Sequence, residues 1–430
     1  MKFIVEGITK CAPRLGVLKE IERHPNITLE TPMAMLYTRG GSIPHITNEV
    51  FKLITTKSQI IQIPLVSTYN FEDVMTHYNG TIAEFVGMKE CISCMTVQDP
   101  GDYTQPGHHV QDLIPLWTRH GKVLLNAKLY MILVELFKPD MYYFLSDGDT
   151  NIASPTKRVN KAVQNTVKYY KECIEIHKNS KILKNSFAMG VIAGGYNLKA
   201  RKDCMDVVCK IDSIGGYLID GLHNNGPEVE FLCAEEIKPV VEYIVENLHH
   251  TKLKAIHGCW NPVTILQLIK LGIDLFDTSY CHIVTERSCA LTFSLDLSNT
   301  EEAFELNLRQ SQFADDFRPI LPGCACLTCV KYSRGYIHHL VTVQELLGPL
   351  LLTIHNVHHY TKFFETIREC IRNDTLRILE ETITKQFNLY QNGVKEKRDE
   401  DEELNSTEVV RDEVNRTNED NVQIPLVPTC

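Results

Sequence analysis

The sequence lacks several features that would assign it to a common protein class. No apolar run reaches the ~20 residues that a membrane-spanning helix requires. The opening residues, MKFIVEGITK, become charged too early for a secretory signal. Basic residues are not in excess, since 44 Lys and Arg stand against 54 Asp and Glu in 430 residues. A uniformly basic nucleic-acid coat is therefore excluded, although a local basic patch is not.

A paired disulfide framework is also missing. The chain has 15 cysteines, which is an odd number, and most of them are scattered along it. This usage is typical of reduced thiols in a cytosolic protein. With 43% hydrophobic and 23% charged residues, the composition is that of a globular protein. We therefore expect a cytoplasmic protein with a large buried core.

Aromatic and periodic apolar residues are scarce in residues 393–430. The charged run KEKRDEDEEL starts at Lys395, and the stretch concentrates acidic side chains. Such a composition cannot bury enough apolar surface to offset the entropy of ordering the chain. We predict an acidic disordered tail.

Short apolar strands alternate with helical stretches between residues 50 and 300. Predicted strands lie in 58–66, 186–195, 214–222, 252–259 and 273–279, with predicted helices in 200–211, 235–249 and 262–272; residues 128–149 are a helix running into a strand. This alternation is typical of parallel strands joined by right-handed crossovers. Either a doubly wound sheet or a (β/α)8 barrel would fit, and glycines and acids at the strand ends favour the barrel.

Three cysteines crowd into six positions as Cys324-x-Cys326-x2-Cys329. The spacing suits a zinc site that needs a fourth ligand, and the histidines that follow supply candidates: His338, His339, His355, His358 and His359. A loop of buried thiols would also fit. Redox chemistry is disfavoured, because no strand–helix context surrounds the Cys-x-x-Cys pair.

Residues 324–360, CACLTCVKYSRGYIHHLVTVQELLGPLLLTIHNVHHY, resemble the zinc subdomain of the tRNA-guanine transglycosylase family. The resemblance assigns one structural zinc ion to Cys324, Cys326, Cys329 and His355. Further stretches resemble the family across about residues 3–390, among them residues 31–47, 190–201, 214–228 and 257–277. The resemblance implies an α/β fold, a (β/α)8 TIM barrel with an inserted C-terminal structural zinc-binding subdomain. Residues 1–300 would form the barrel, and residues 301–392 the zinc-binding subdomain and closing helices.

Catalytic members of that family exchange a guanine in a tRNA anticodon for a 7-deazaguanine through an aspartate that attacks the ribose C1′. The resemblance aligns Asp277 with this nucleophile, but the proline, threonine and arginine that follow it in the family are replaced here. Ala193 stands where the family has a base-reading glutamine. The resemblance therefore implies a vestigial base pocket with no catalytic residue, formed by Asp99, Asp147, Ala193, Gly194, Gly195 and Gly221.

These departures resemble the accessory, non-catalytic branch of the family. Such a subunit pairs with the catalytic subunit of queuine tRNA-ribosyltransferase and supports exchange of guanine for queuine at the wobble position (34) of GUN-anticodon tRNAs (Asp, Asn, His, Tyr). Lys331 and Arg334 are candidate tRNA phosphate contacts. A homodimer stays open, as does the alternative of an active transglycosylase using Asp277. The resemblance adds peripheral association with the mitochondrial outer membrane, for which the sequence shows no anchor.

Overall fold

A closed barrel of parallel strands forms the centre of the computed structural model, which describes residues 1–6, 12–110, 112–211, 213–297 and 303–393. Strands β4, β5, β6, β9, β10, β11, β12 and β13 pair in chain order, and β13 closes on β4. The predicted barrel is confirmed. The strands are β1 (Lys2–Glu6), β2 (Leu15–Lys19), β3 (Leu29–Thr31), β4 (Met33–Tyr37), β5 (Ile60–Pro64), β6 (Ile92–Thr96), β7 (Ile114–Thr118), β8 (Gly121–Leu125), β9 (Met141–Tyr143), β10 (Phe187–Ile192), β11 (Gly216–Ile219), β12 (Leu253–Ala255), β13 (Leu275–Asp277), β14 (Cys289–Leu291) and β15 (Glu305–Asn307).

Helices cover the outside of the barrel and form its C-terminal extension. They are α1 (Asn48–Phe51), α2 (Leu65–Thr68), α3 (Glu72–His77), α4 (Ile82–Phe85), α5 (Ala127–Phe137), α6 (Thr156–Asn179), α7 (Leu198–Val208), α8 (Ala234–Asn247), α9 (Pro262–Lys270), α10 (Ser279–Glu286), α11 (Leu327–Lys331), α12 (Arg334–Thr342), α13 (Leu347–Arg372) and α14 (376–393). Asparagine side chains cap several of them; Asn126, Asn197 and Asn261 each accept a backbone N–H in the first turn of α5, α7 and α9.

The inside of the barrel is a packed apolar core. Met35, Cys94, Met189 and Leu275 are fully buried there among side chains from neighbouring strands. Strands β1–β3 form an antiparallel sheet whose Leu18 joins the same core. Because the barrel is filled by side chains, any site must lie at the carboxyl ends of the strands.

The C-terminal extension packs against the barrel through one long helix. Helix α13 contacts α10, which directly follows the last barrel strand, and also contacts α11, α12 and β14. Strand β14 pairs with β15 in an antiparallel ladder. In the described part of the chain, no helix is long and apolar enough to cross a membrane. Apart from residue 393, the predicted acidic tail lies outside the described residues.

Candidate functional site

Asp277 ends strand β13, and backbone groups hold both of its carboxylate oxygens. The Gly258 N–H donates to Oδ2 at 2.9 Å and the Ser279 N–H donates to Oδ1 at 2.8 Å. The side chain is 2% exposed, and burial raises its pKa. As arranged, this carboxylate fixes the turn from β13 into α10 and is shielded from an incoming ribose.

Asp99 follows strand β6 and is also buried. It accepts the Gly101 N–H at 2.8 Å, and the Arg39 guanidinium lies 3.5 Å from its Oδ2. Burial raises the pKa of Asp99 to about 6, even though Tyr37 and Arg39 favour the charged form. Burial raises the pKa of the Cys259 thiol, and the charges of Asp277 and Asp99 raise it further. The structure therefore brings the two aspartates near one cysteine.

Asp147 follows strand β9 and is tied to helix α6. Its Oδ2 accepts Asn165 Nδ2 at 2.8 Å, and Oδ1 accepts the Arg158 guanidinium. The carboxylate is buried, but it lines a cavity at the mouth of the barrel. Among the six predicted base-pocket residues, Asp147 alone lines this cavity.

Ala193 and the three predicted glycines instead form tight turns around a buried arginine. Gly194 and Gly195 have φ angles of 142° and 54°, and a Cβ on Gly194 would lie 2.7 Å from the Arg201 backbone nitrogen. The Arg201 guanidinium is wholly buried and donates to the carbonyls of Gly195 at 2.8 Å and Asp220 at 2.7 Å. The geometry therefore fits these glycines as residues of strand-to-helix turns.

The cavity at the barrel mouth is small, at about 60 Å³. The segment 99–110 crosses it and is fastened to strand-end loops on the far side. Thr104 N–H donates to the Asn224 carbonyl at 2.8 Å, and Gly226 N–H donates to the Pro100 carbonyl at 3.0 Å. Gly107 N–H donates to Asp149 Oδ2 at 2.7 Å. The chain itself thus covers the face where a barrel enzyme binds its substrate.

Sequence reasoning missed several residues that line this cavity. His109 lies 3.2 Å from Asp149, and Asp149 keeps a lowered pKa, because the hydrogen bonds of His109 and Gly107 and the charge of Arg158 outweigh its burial. His223 also lines the cavity, and burial lowers its pKa to about 4. The sequence contained a signal for Asp149, because this residue belongs to the acidic SDGDT run after β9. His109 follows no predicted strand, and no sequence pattern indicated it.

A second group of side chains forms a compact cluster between α11 and α13. The donor atoms of Cys324, Cys326, Cys329 and His355 all lie within 4.8 Å of one another, and the cluster could hold a metal ion. The His355 Nδ1 lies 3.9, 3.6 and 3.3 Å from the three sulfurs in chain order. The neighbouring Cys326 thiol, followed by Cys329, lowers the pKa of Cys324.

Groups around this cluster orient its ligands. His355 Nε2 bonds the Leu291 carbonyl at 2.8 Å, which leaves Nδ1 as the acceptor that faces the sulfurs. Cys326 Sγ accepts the Cys329 N–H at 3.3 Å at the start of α11. His338 lies elsewhere, with Nδ1 on the Leu308 carbonyl at 2.8 Å, and His339 is exposed. The set of four candidate ligands, three thiols and one imidazole, is thus complete without either of them.

The two predicted tRNA contacts differ sharply in their surroundings. Lys331 is exposed at the end of α11. Arg334 is 8% exposed, and its guanidinium donates to the Pro319 carbonyl at 2.9 Å, to the Ile320 carbonyl at 2.8 Å and to Asp316 at 3.1 Å. Arg334 points inward because all three of its guanidinium nitrogens donate to these acceptors. Lys331 is the remaining candidate for a phosphate contact.

Comparison with known proteins agrees with this geometry. A family model described as "Queuine tRNA-ribosyltransferase" matches residues 10–389, and the chain belongs to this family. It is 38% identical over 381 residues to a protein of Anopheles gambiae, covering 87% of this chain and 88% of that protein. It is 37% identical over 390 residues to a protein of Aedes aegypti and 38% identical over 393 residues to one of Drosophila melanogaster, each covering 90% of this chain and 93% of the relative. All three relatives bear the name queuine tRNA-ribosyltransferase accessory subunit 2.

Proposed function

We propose that this protein is the non-catalytic accessory subunit of a heterodimeric queuine tRNA-ribosyltransferase. It would support tRNA binding and the exchange of guanine for queuine at wobble position 34 of GUN-anticodon tRNAs, while its catalytic partner performs the chemistry. The relatives' names support an accessory role over an active transglycosylase. The observation that carries the proposal is the barrel mouth, which the chain's own segment 99–110 covers.

Base exchange needs a free carboxylate beside a pocket that reads a base. Both oxygens of Asp277 already accept backbone N–H groups. The cavity of about 60 Å³ is far below the ~300–1,000 Å³ of typical ligand pockets. Ala193 can neither donate nor accept where the family's glutamine side chain would, and a lost hydrogen-bond partner in such a site weakens recognition strongly. Asp277, Asp99, Asp147, Ala193 and the turn glycines are therefore proposed to be a relic.

The Cys3His cluster is proposed to hold one structural zinc ion. Tetrahedral Zn–S and Zn–N bonds of ~2.3 and ~2.05 Å require sulfur–nitrogen separations of about 3.6 Å. The three separations from His355 Nδ1, at 3.9, 3.6 and 3.3 Å, centre on that value. With Cys324, Cys326, Cys329 and His355 filling all four positions, the ion would join α11 to α13 and leave no open coordination site.

The exposed apolar side chains of the C-terminal extension, Phe317, Tyr336, Val343 and Leu346, are the proposed contact with the catalytic subunit. Phe317 and Leu346 are 81% and 86% exposed, which are extreme values for large hydrophobic residues of the described chain. Tyr336 and Val343 lie seven residues apart along α12 and its end, so they share one face. The Gly335 N–H bonds the Asp316 carbonyl at 2.7 Å, which ties the backbone before Phe317 to the start of α12. A patch of this kind is typical of a protein interface.

The domain division is kept as a proposal: residues 1–300 as the barrel, 301–392 as the zinc-binding subdomain with closing helices, and 393–430 as an acidic disordered tail. The antiparallel pairing of β14 with β15 would join the first two parts across their boundary.

Lys331 is proposed to contact tRNA phosphate. We propose a cytoplasmic location, with peripheral association with the mitochondrial outer membrane.

The test is incorporation of labelled guanine and of queuine into a GUN-anticodon tRNA. This chain alone, the catalytic subunit alone and their mixture are assayed side by side, with the Asp277→Asn variant in each. We expect exchange only in the mixture, unchanged by Asp277→Asn. The matched control replaces the nucleophilic aspartate of the catalytic subunit by asparagine, which should abolish exchange. Exchange by this chain alone that disappears in Asp277→Asn would establish the active-enzyme alternative.

The partner surface has a separate test. Leu346→Glu should weaken assembly with the catalytic subunit in analytical ultracentrifugation, because it introduces a charge into an apolar contact. Leu389→Glu, also at an exposed leucine but far along α14, is the control. Equal assembly of wild type and Leu346→Glu, or self-association of this chain in place of the mixed dimer, would contradict the proposed surface.

A further inference from the structure

Three side chains of types that ligate metals meet between α10 and the loop after β4, and none belongs to the Cys3His cluster. His282 and Glu286 lie one turn apart on α10, and His45 comes from the loop after β4. Their three ligand atoms lie within 4.8 Å of one another. We propose that His45, His282 and Glu286 form a second metal site, which takes Zn²⁺ or a similar divalent first-row transition cation.

The separations between the donor atoms suit such an ion. His45 Nε2 lies 2.8 Å and His282 Nδ1 lies 3.7 Å from Glu286 Oε1. Tetrahedral Zn–N and Zn–O bonds of ~2.0–2.2 Å require about 3.3 Å between neighbouring ligand atoms, and the two values lie on either side of it. Two imidazoles with one carboxylate are a ligand set that zinc commonly takes in proteins.

His282 supplies the independent observation that points to a ligand. Its side chain is 8% exposed, yet its buried Nδ1 has no hydrogen-bond partner. Buried ring nitrogens are normally paired, since an unpaired one loses its water without compensation. This nitrogen faces Glu286, and a cation between them would satisfy it.

The surroundings fix the imidazole of His282. The Tyr37 ring stacks on the His282 ring with centroids 5.1 Å apart. The nearby Arg39 guanidinium is held by the Tyr37 hydroxyl at 2.7 Å and by Asp102 at 2.5 Å, which keeps it paired with an acid. The ligand histidine is therefore preorganised.

The site would have an open fourth position. The side chains of His45 and Glu286 are 28% and 54% exposed, so solvent or a side chain of another protein can complete the coordination sphere. The ion would tie the loop after β4 to α10, the helix that follows the vestigial Asp277. This inference does not depend on the proposed accessory role.

The experiment is a Co²⁺ titration of the full chain after removal of metal by a chelator. The Cys3His cluster binds Co²⁺ with a thiolate-to-metal charge-transfer absorption, whereas the second site contains no sulfur. We expect a further equivalent to bind to the wild type after the charge-transfer signal is complete. In Glu286→Gln and in His282→Gln that equivalent should bind at least about tenfold more weakly, with the charge-transfer signal unchanged. Metal content after gel filtration from a Zn²⁺ solution gives a second readout.

His249→Gln is the matched control, since this exposed histidine stacks on His250 but belongs to no metal cluster of the described residues. It should bind both equivalents as the wild type does. Glu286→Gln changes an exposed side chain and leaves the fold intact, which keeps the test valid where His282→Gln unfolds. A wild type that binds no further equivalent, or a further equivalent that persists in Glu286→Gln, would overturn the proposal.

Discussion

Arg334→Gln is predicted to weaken the C-terminal extension rather than its contact with tRNA. The glutamine is too short to reach the Pro319 and Ile320 carbonyls, which the guanidinium now holds at 2.9 and 2.8 Å. A buried acceptor left unpaired costs about 1–3 kcal/mol. The Ile320 carbonyl is buried and the Pro319 carbonyl only partly so. The unpaired Pro319 carbonyl should cost less than the unpaired Ile320 carbonyl, so the free energy of unfolding should fall by about 2–4 kcal/mol in total.

Lys331→Gln is expected to affect tRNA binding rather than the stability of the C-terminal extension. This exposed lysine at the end of α11 should change the free energy of unfolding by less than about 0.5 kcal/mol. If it contacts a phosphate, the slope of log affinity for tRNA against log salt should shrink by about one unit. Arg334→Gln should leave that slope unchanged, because its guanidinium is turned away from solvent.

The assays are urea unfolding followed by circular dichroism and tRNA filter binding at several salt concentrations. Both are carried out on the complex with the catalytic subunit and on this chain alone. The reasoning is refuted if Arg334→Gln keeps the wild-type urea midpoint while its salt slope falls as that of Lys331→Gln does. That result would mean that the arginine leaves its carbonyls to bind phosphate.

Three further predictions address the buried aspartate, the metal cluster and its neighbour. Burial raises the pKa of Asp99 from 3.8 in the unfolded chain to about 6 in the folded protein, so ionisation of this carboxyl disfavours the folded state. The free energy of unfolding should therefore fall as pH rises from 3.8 through 6. Asp99→Asn should gain about 1.4 kcal/mol more relative to wild type at pH 8 than at pH 5, measured by urea unfolding at both. Cys329→Ser should weaken zinc binding by more than about 100-fold in a chelator competition, since it removes one of four ligands. Asn356→Leu should lower the free energy of unfolding by about 2–5 kcal/mol, since its amide accepts the Leu291 N–H at 2.9 Å and donates to Cys289 and Thr285.

Each of these has a control at an exposed position. Asn247→Ala, which removes no titratable group, is the pH control, and its stability relative to the wild type should be the same at pH 5 and pH 8. Cys233→Ser, at an exposed cysteine, should bind zinc as the wild type does. Asn247→Ala should leave the free energy of unfolding nearly unchanged, because the hydrogen bond of its side-chain amide at the end of α8 is exposed. A pH-independent Asp99→Asn, undiminished zinc binding in Cys329→Ser, or a fully stable Asn356→Leu would each contradict the corresponding structural account.

The barrel and the Cys3His cluster could be predicted because their signals are local. Strand and helix periodicity is a property of consecutive residues, and repeated strand–helix alternation leaves few topologies. The spacing of Cys324, Cys326 and Cys329 places three thiols in one loop, and only the distant His355 needed the resemblance to be found. The missing glutamine at Ala193 was likewise visible in a short motif.

Other features could not be predicted, because they join segments far apart in the chain. His45 meets His282 across 237 positions only because β13 pairs with β4 where the barrel closes. Segment 99–110 reaches Asn224 and Asp149 only once β6, β9 and β11 lie in one wall.

The family, the alternation of strands and helices, and the residues available for chemistry can all be read from the amino-acid sequence. Which of those residues are free to act depends on how the chain packs. Asp277 is present where a nucleophile would lie, but two backbone N–H groups hold it. Arg334 carries the charge that a phosphate needs, but buried carbonyls hold its guanidinium. The physical reason is that burial and hydrogen bonding, which set a side chain's availability, depend on neighbours that local sequence does not specify.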